Sequence, residues 1–180
     1  IFPTINGLIK RGIDYRGVLY FGLMITESGP KVIEYNCRFG DPECQTIMPL
    51  LDENFVEILL KCAMGKLKGT EELVSLNKVS GCVIAASEGY PSNHEIGFPI
   101  EIQNFDEENV QIFHSGSEIS DTGQLITNGG RVLSIVCQDI DFDQAFKKAY
   151  KYLESINFKG IYYRKDIGHQ VRNQFKEKKD

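Results

Sequence analysis

Lys31-Val32-Ile33-Glu34-Tyr35-Asn36-Cys37-Arg38-Phe39-Gly40-Asp41-Pro42-Glu43 is the stretch on which the reading of this chain turns. From Ile33 to Phe39 apolar and polar residues alternate, the period of a strand with one wet face. Ile33, Tyr35, Cys37 and Phe39 fall on one side, expected to be buried, with Ile33, Tyr35 and Phe39 against a helix at 54–67. Glu34, Asn36 and Arg38 fall on the other, at steps of about 6–7 Å. Carboxylate and amide oxygens are hard ligands. Mg²⁺ commonly takes one or two of them together with substrate phosphates. A guanidinium alongside suits the charge on a transferring phosphoryl group. By spacing alone, a solvated face with a Glu34–Arg38 ion pair is the commoner arrangement. What tips the balance is Gly40-Asp41-Pro42-Glu43, a tight turn that brings two more carboxylates. It also marks a helix start, with Asp41 as cap and Pro42 as first residue, and helix starts attract anions.

Working outward, Tyr15 to Thr26 reads as a strand, and Glu27-Ser28-Gly29-Pro30 as the turn that pairs it with 31–39. Residues 4–13 have helical spacing in Ile5, Leu8, Ile9 and Ile13. Helices are expected at 42–51 and 54–67, the second with an apolar stripe of Phe55, Ile58, Leu59 and Cys62. Residues 68–78 read as a linker. Strands follow at 79–87, 98–102, 110–115, 123–127 and 131–138. A helix at 141–156 turns Phe142, Ala145, Phe146, Ala149 and Leu153 inward, and Gly160 to Arg164 closes the sheet. From Arg172 the charged end is expected to fray. The class is α/β (α+β), with a boundary expected between 1–76 and 77–180.

Composition narrows the function classes. The 180 residues carry 20 Lys and Arg against 25 Asp and Glu, a net charge of −5. That balance argues against a protein that coats nucleic acid, which needs a cationic face. Phosphate substrates need only local cations. The five Cys are odd in number and show no C-x-x-C, which suggests reduced thiols and a cytoplasmic address. His94, His114 and His169 lack zinc-like spacing. No 18-residue apolar run marks a membrane span.

Several ordered blocks resemble one family. They are Tyr15-Arg16-Gly17-Val18-Leu19-Tyr20-Phe21-Gly22-Leu23-Met24; Gly29-Pro30-Lys31-Val32; Glu34 to Glu43; Ala86-Ser87-Glu88-Gly89-Tyr90-Pro91; Phe113-His114-Ser115-Gly116; Asn128-Gly129-Gly130-Arg131-Val132-Leu133; and Tyr163-Arg164-Lys165-Asp166-Ile167-Gly168. Together they resemble glycinamide ribonucleotide synthetases, the phosphoribosylamine–glycine ligases of the ATP-grasp superfamily. A lone E-x-N-x-R would be weak, but this many blocks in order is specific.

The resemblance implies purine biosynthesis from ATP, glycine and phosphoribosylamine, through a glycyl phosphate. It implies that Glu34 and Asn36 hold Mg²⁺ or Mn²⁺ bridging the ATP phosphates, and that Arg38 steadies the transferring phosphoryl. Many ATP-grasp proteins carry a further acidic ligand on the preceding strand. Val18 to Ile25 contains no acid, so only two protein ligands are assigned. Asp41, Glu43, Gly129, Gly130, Arg131 and Lys165 are weaker candidates for touching substrate. For 128–131 a plain turn is the commoner reading, and for Arg164–Asp166 a salt-bridged surface is. Ser87 to Pro91 either lines the substrate cleft or is a strand-end turn. His114 is expected as a core histidine, and Tyr150 and Tyr152 as packing.

The resemblance also implies that the chain is the back half of such an enzyme: the metal-bearing end of an ATP-grasp domain, then a small mixed-sheet domain of rudimentary hybrid-barrel character. Neither G-x-G-x-x-G nor a P-loop occurs in it. On that reading it works with an N-terminal half carrying the adenine pocket. Another ATP-grasp carboxylate–amine ligase, or a silent binding domain, would be the alternative.

Overall fold

The computed structural model describes residues 1–67, 76–103 and 108–174. Most of the expected linker, 68–75, and the terminal residues 175–180 lie outside them. The chain divides into two compact units, Ile1–Cys44 with Leu51–Val74, and Gln45–Leu50 with Ser75–Asp180.

In the first unit, α1 (Phe2–Lys10) precedes a two-stranded antiparallel ribbon of β1 (Tyr20–Thr26) and β2 (Gly29–Asn36). Gly29 turns the chain at φ +95°, a conformation that glycine reaches without strain. The register runs from Thr26–Gly29 to Tyr20–Asn36 and is interrupted at Gly22/Leu23. Gly22 pairs with Glu34 and Leu23 with Val32. α2 (Glu43–Ile47) follows the ribbon; its residues from Gln45 on, with a 3-10 turn (Met48–Leu50), belong to the second unit. α3 (Phe55–Ala63) starts at Asn54, whose side-chain oxygen accepts from the Val56 and Glu57 amides at 3.0 and 3.4 Å. Phe55, Ile58 and Cys62 are the half-buried side of α3, as their spacing predicts, while Leu59 is exposed.

Three expectations fail here. Both strands are shorter than the apolar runs, because pairing begins only at Tyr20 and ends at Asn36. Cys37 and Arg38 lie in a bend, where strand alternation no longer assigns a face. The apolar side of β2 is not buried: Ile33 is 63% and Tyr35 49% exposed, and Cys37 is exposed too. Two strands have no second layer of their own. Tyr35 instead meets the Phe21 ring edge-on at 5.2 Å and the Thr4 hydroxyl at 3.2 Å. Phe39 does reach α3, its ring 5.7 Å from that of Phe55.

The second unit holds the larger core. β3 (Val79–Ser87), β5 (Val110–His114), β8 (Arg131–Asp139) and β10 (Ile161–Tyr162) form an antiparallel sheet ordered β10-β3-β8-β5. β8 is buried from Val132 to Gln138, as a near-continuous apolar run at a sheet centre should be. α4 (Phe142–Leu153) packs on the sheet, capped by Asp141, whose carboxylate accepts from the Gln144 amide at 2.8 Å. Val83, Ala85, Leu133, Ile135 and Cys137 meet Phe146, Ala149 and Leu153 in the core. Gly81 lets Phe146 approach, since a Cβ there would stand 3.0 Å from its ring.

Two short ribbons accompany this sheet: β4 (Glu101–Ile102) with β9 (Ile156–Asn157), and β6 (Ser117–Ile119) with β7 (Leu125–Thr127). β6, β9 and α5 (His169–Gln174) are additions to the sequence reading. Arg172 does not fray: it sits in α5 with Nε 3.0 Å from Asp143 Oδ1. Tyr150 is more than packing, donating to the Arg164 carbonyl at 2.8 Å and accepting from the Ile167 amide at 3.1 Å. Tyr152 is buried in the core.

Candidate functional site

Strand period places Glu34 and Asn36 on the same side of β2, and the side chains meet. Asn36 Nδ2 donates to Glu34 Oε1 at 3.0 Å. Directly across the ribbon, Gly22 has no side chain. A Cβ there would stand 2.9 Å from Glu34 Cγ, so glycine is what lets this carboxylate lie over the partner strand. The pair is exposed to half-buried and offers hard oxygens to solvent. That donor chemistry, with space above the ribbon, fits a hard divalent cation completed by water or phosphate oxygens. Among the described residues no three His, Cys, Asp or Glu gather in a metal-ligating group.

Arg38 lies two residues past β2, exposed, with Nη1 donating to the Phe39 carbonyl at 3.0 Å. Glu43 does not project freely, because its Oε2 accepts from the Gly40 amide at 3.1 Å and closes the turn before α2. The helix therefore starts at Glu43 and not at Pro42, and Asp41 and Pro42 belong to the turn. α2 spans five residues, too few to gather the macrodipole expected of a phosphate-attracting helix start. Burial, then the charges of Glu43 and Asp41, pushes the Cys44 thiol pKa up. It stays protonated and a poor ligand.

The remaining blocks converge at one end of the second unit's sheet. Ser87 Oγ donates to the Gly129 carbonyl at 2.9 Å, and its amide donates to the Gly130 carbonyl at 2.8 Å. Tyr90 covers Gly130 so closely that a Cβ would stand 2.1 Å from its ring. The Gly116 amide donates to the Arg131 carbonyl at 2.7 Å, and the Asn128 amide to the Gly116 carbonyl at 2.8 Å. Gly129 and Gly130 thus form a turn whose carbonyls are engaged, and Arg131 opens β8 half-buried. For Ser87 and Glu88 the strand-end turn is what the structure shows. They also line a cleft of about 330 Å³ together with His94, Phe98 and Lys159. No spacing in the sequence pointed to that cleft, because its lining runs from Ser87 to Gly160, 73 positions along the chain.

His114 is exposed, its Nδ1 2.9 Å from Ser117 Oγ, and is not a core residue. Arg164 binds Asp166 through two bonds of 2.9 and 2.8 Å, the salt-bridged surface expected, and Lys165 is exposed beside it. The Arg164 hydrogen bond holds the Asp166 carboxyl below the usual aspartate range.

This mixed α/β fold with antiparallel sheets is also found in biotin carboxylases. The biotin carboxylase domain of Hydrogenobacter thermophilus 2-oxoglutarate carboxylase superposes with a TM-score of 0.61 at 17% identity, over 89% of this chain and 36% of that one. That likeness concerns the fold alone. Sequence is more specific: residues 80–170 match the phosphoribosylglycinamide synthetase C domain and residues 1–44 its ATP-grasp (A) domain. The chain belongs to the phosphoribosylglycinamide synthetase family. It is similar to the phosphoribosylamine–glycine ligase of Synechocystis sp., 46% identical over 174 residues, 94% of this chain and 41% of that protein. It is also similar to the crystal structure of the Thermotoga maritima phosphoribosylamine–glycine ligase, with a TM-score of 0.78 and 37% identity over 91% of this chain and 40% of that one. The chain thus spans about 40% of the length of the relatives it matches. Among the described residues no helix is long and apolar enough to cross a membrane.

Proposed function

We propose that this chain is the metal- and phosphate-handling part of an ATP-dependent ligase that joins glycine to phosphoribosylamine. The products are glycinamide ribonucleotide, ADP and phosphate. The observation that carries the reading is the Glu34–Asn36 pair over Gly22, within a chain of this family. Glycine carboxylate attacks the γ-phosphoryl of ATP, ADP leaves, and the amine of phosphoribosylamine displaces phosphate from the glycyl phosphate. Such chemistry asks a protein mainly for positioning and charge neutralisation.

Glu34 and Asn36 would hold the divalent ion, Mg²⁺ or Mn²⁺. When bound it would neutralise phosphate charge. Arg38, exposed at the end of β2, gives a planar guanidinium to the phosphoryl oxygens. Asp41 and Glu43 shape the turn behind it. The Gly129–Gly130 turn, Arg131 and Lys165 stay candidates for the substrate side. The domain boundary near residues 76 and 77 is part of the same proposal, as is a cytoplasmic setting.

The remainder of the enzyme supplies the adenine pocket and covers the ribbon, whose Leu23, Val32, Ile33 and Tyr35 are exposed. Exposed apolar area of this extent suits an interface. The test uses the complete enzyme. Glu34→Gln should remove most ATP-, glycine- and phosphoribosylamine-dependent ADP release while leaving the melting temperature nearly unchanged, because this exposed position carries little packing energy. Normal turnover in that variant would overturn the assignment. The 180-residue chain alone should be inactive.

A further inference from the structure

Tyr20 pairs directly across the ribbon with Asn36, as Gly22 pairs with Glu34. Positions 20 and 22 of β1 and 34 and 36 of β2 therefore share one face. Opposed side chains of an antiparallel pair stand about 4.5–5.5 Å apart at Cβ, which brings Tyr20 within reach of the Glu34–Asn36 unit. Its ring also leans toward Gly22. A Cβ on that glycine would lie 3.5 Å from Tyr20 Cε1 and 2.9 Å from Glu34 Cγ, so the ring and the Glu34 side chain flank one gap. Tyr20 is half-buried, whereas Met24, two positions beyond Gly22 on the same strand, is exposed.

The neighbouring tyrosines engage their hydroxyls within the protein. Tyr15 donates to the Val18 carbonyl, and the Tyr35 hydroxyl meets that of Thr4. Among the described residues the Tyr20 hydroxyl has no hydrogen-bond partner. A sheltered tyrosine ordinarily finds one. The rest of this face explains what a free donor would serve. Glu34 is the single charge among the four positions, and Asn36 is bonded to it. Once the Glu34 and Asn36 oxygens face a cation, the phenol is the donor left for an anion beside it. A lysine in its place would repel the cation, and an acid would repel the phosphate. A neutral hydroxyl does neither.

We propose that the Tyr20 hydroxyl donates a hydrogen bond to a phosphate oxygen of the nucleotide held on this face. The inference rests on the ligase reading above and adds a binding residue to its nucleotide site.

The test uses the complete enzyme. Tyr20→Phe keeps the ring and removes the hydroxyl. Calorimetric affinity for MgADP should fall by roughly tenfold or more, the usual worth of a hydrogen bond to a charged group. The KM for ATP should rise in step, while the KM values for glycine and phosphoribosylamine stay where they are. The melting temperature should not move, because the hydroxyl leaves no partner behind. A lowered melting temperature with normal MgADP affinity would show a packing role and overturn the inference. A rise confined to the KM for phosphoribosylamine would place the hydroxyl on that substrate's phosphate and overturn the nucleotide assignment. If wild-type enzyme turns over and Tyr20→Phe keeps normal MgADP affinity and KM for ATP, the role given to Tyr20 is wrong and the ligase reading stands. If wild-type enzyme shows no turnover with ATP, glycine and phosphoribosylamine, the ligase reading fails and this inference with it.

Discussion

Asn36 donates to Glu34 at 3.0 Å, so two residues of one strand face are joined into a single polar unit. The amide fixes the carboxylate's direction. Rotating that amide would turn its oxygen toward whatever cation the carboxylate attracts. Because Gly22 lies opposite, the unit has room without displacing the partner strand.

Gly22→Ala therefore separates function from stability. The new methyl would meet Glu34 Cγ at 2.9 Å, and the flexible Glu34 side chain would move in response. Turnover of the complete enzyme should fall by roughly one to two orders of magnitude, since a misplacement of about 1 Å can cost 10²-fold. The melting temperature should change little. A large melting shift with normal kcat would contradict this account.

Arg38→Lys keeps the charge and loses the planar fork. If the guanidinium acts on the transferring phosphoryl, kcat should fall more than the KM for ATP rises. A pure KM effect would place Arg38 in ground-state nucleotide binding instead.

Gly168 stands at φ +73°, and a Cβ there would lie 2.2 Å from the Phe146 ring in the core. Gly168→Ala combines left-handed strain with overpacking. It should lower unfolding stability by about 2–4 kcal/mol in chemical denaturation. A cost under about 0.5 kcal/mol, the range of an ordinary surface change, would mean that the Asp166–Val171 segment does not dock on α4 as described.

Lys148 Nζ lies 2.7 Å from Asp139 Oδ2 at the end of β8. Burial raises the Asp139 pKa, but the Lys148 hydrogen bond, the Ile140 amide and the Lys148 charge together outweigh it and leave the pKa lowered. A carboxylate lowered in the folded state contributes stability above its unfolded pKa of about 3.9, and loses it as pH falls through the folded value. Lys148→Met should therefore reduce stability at neutral pH and flatten its decline below about pH 4. Parallel stability–pH curves for the two proteins would disprove the linkage.

Much of this molecule was legible in local pattern. The apolar run of β8 and the 3.6-residue stripe of α4 set the larger core, because burial period is a property of adjacent residues. The placement of Glu34 and Asn36 on one face follows from the two-residue period of a strand. Tertiary structure decided what period cannot carry. It ended β2 at Asn36, so that Arg38 left the alternation, and it left Ile33 and Tyr35 uncovered because a two-stranded ribbon has no second layer of its own. It also brought Ser87, Gly116, Gly129 and Gly160 to one end of the sheet and opened a cleft between Glu88 and Lys159. Antiparallel pairing sets such meetings through contacts between residues distant in the chain, and no local spacing encodes them.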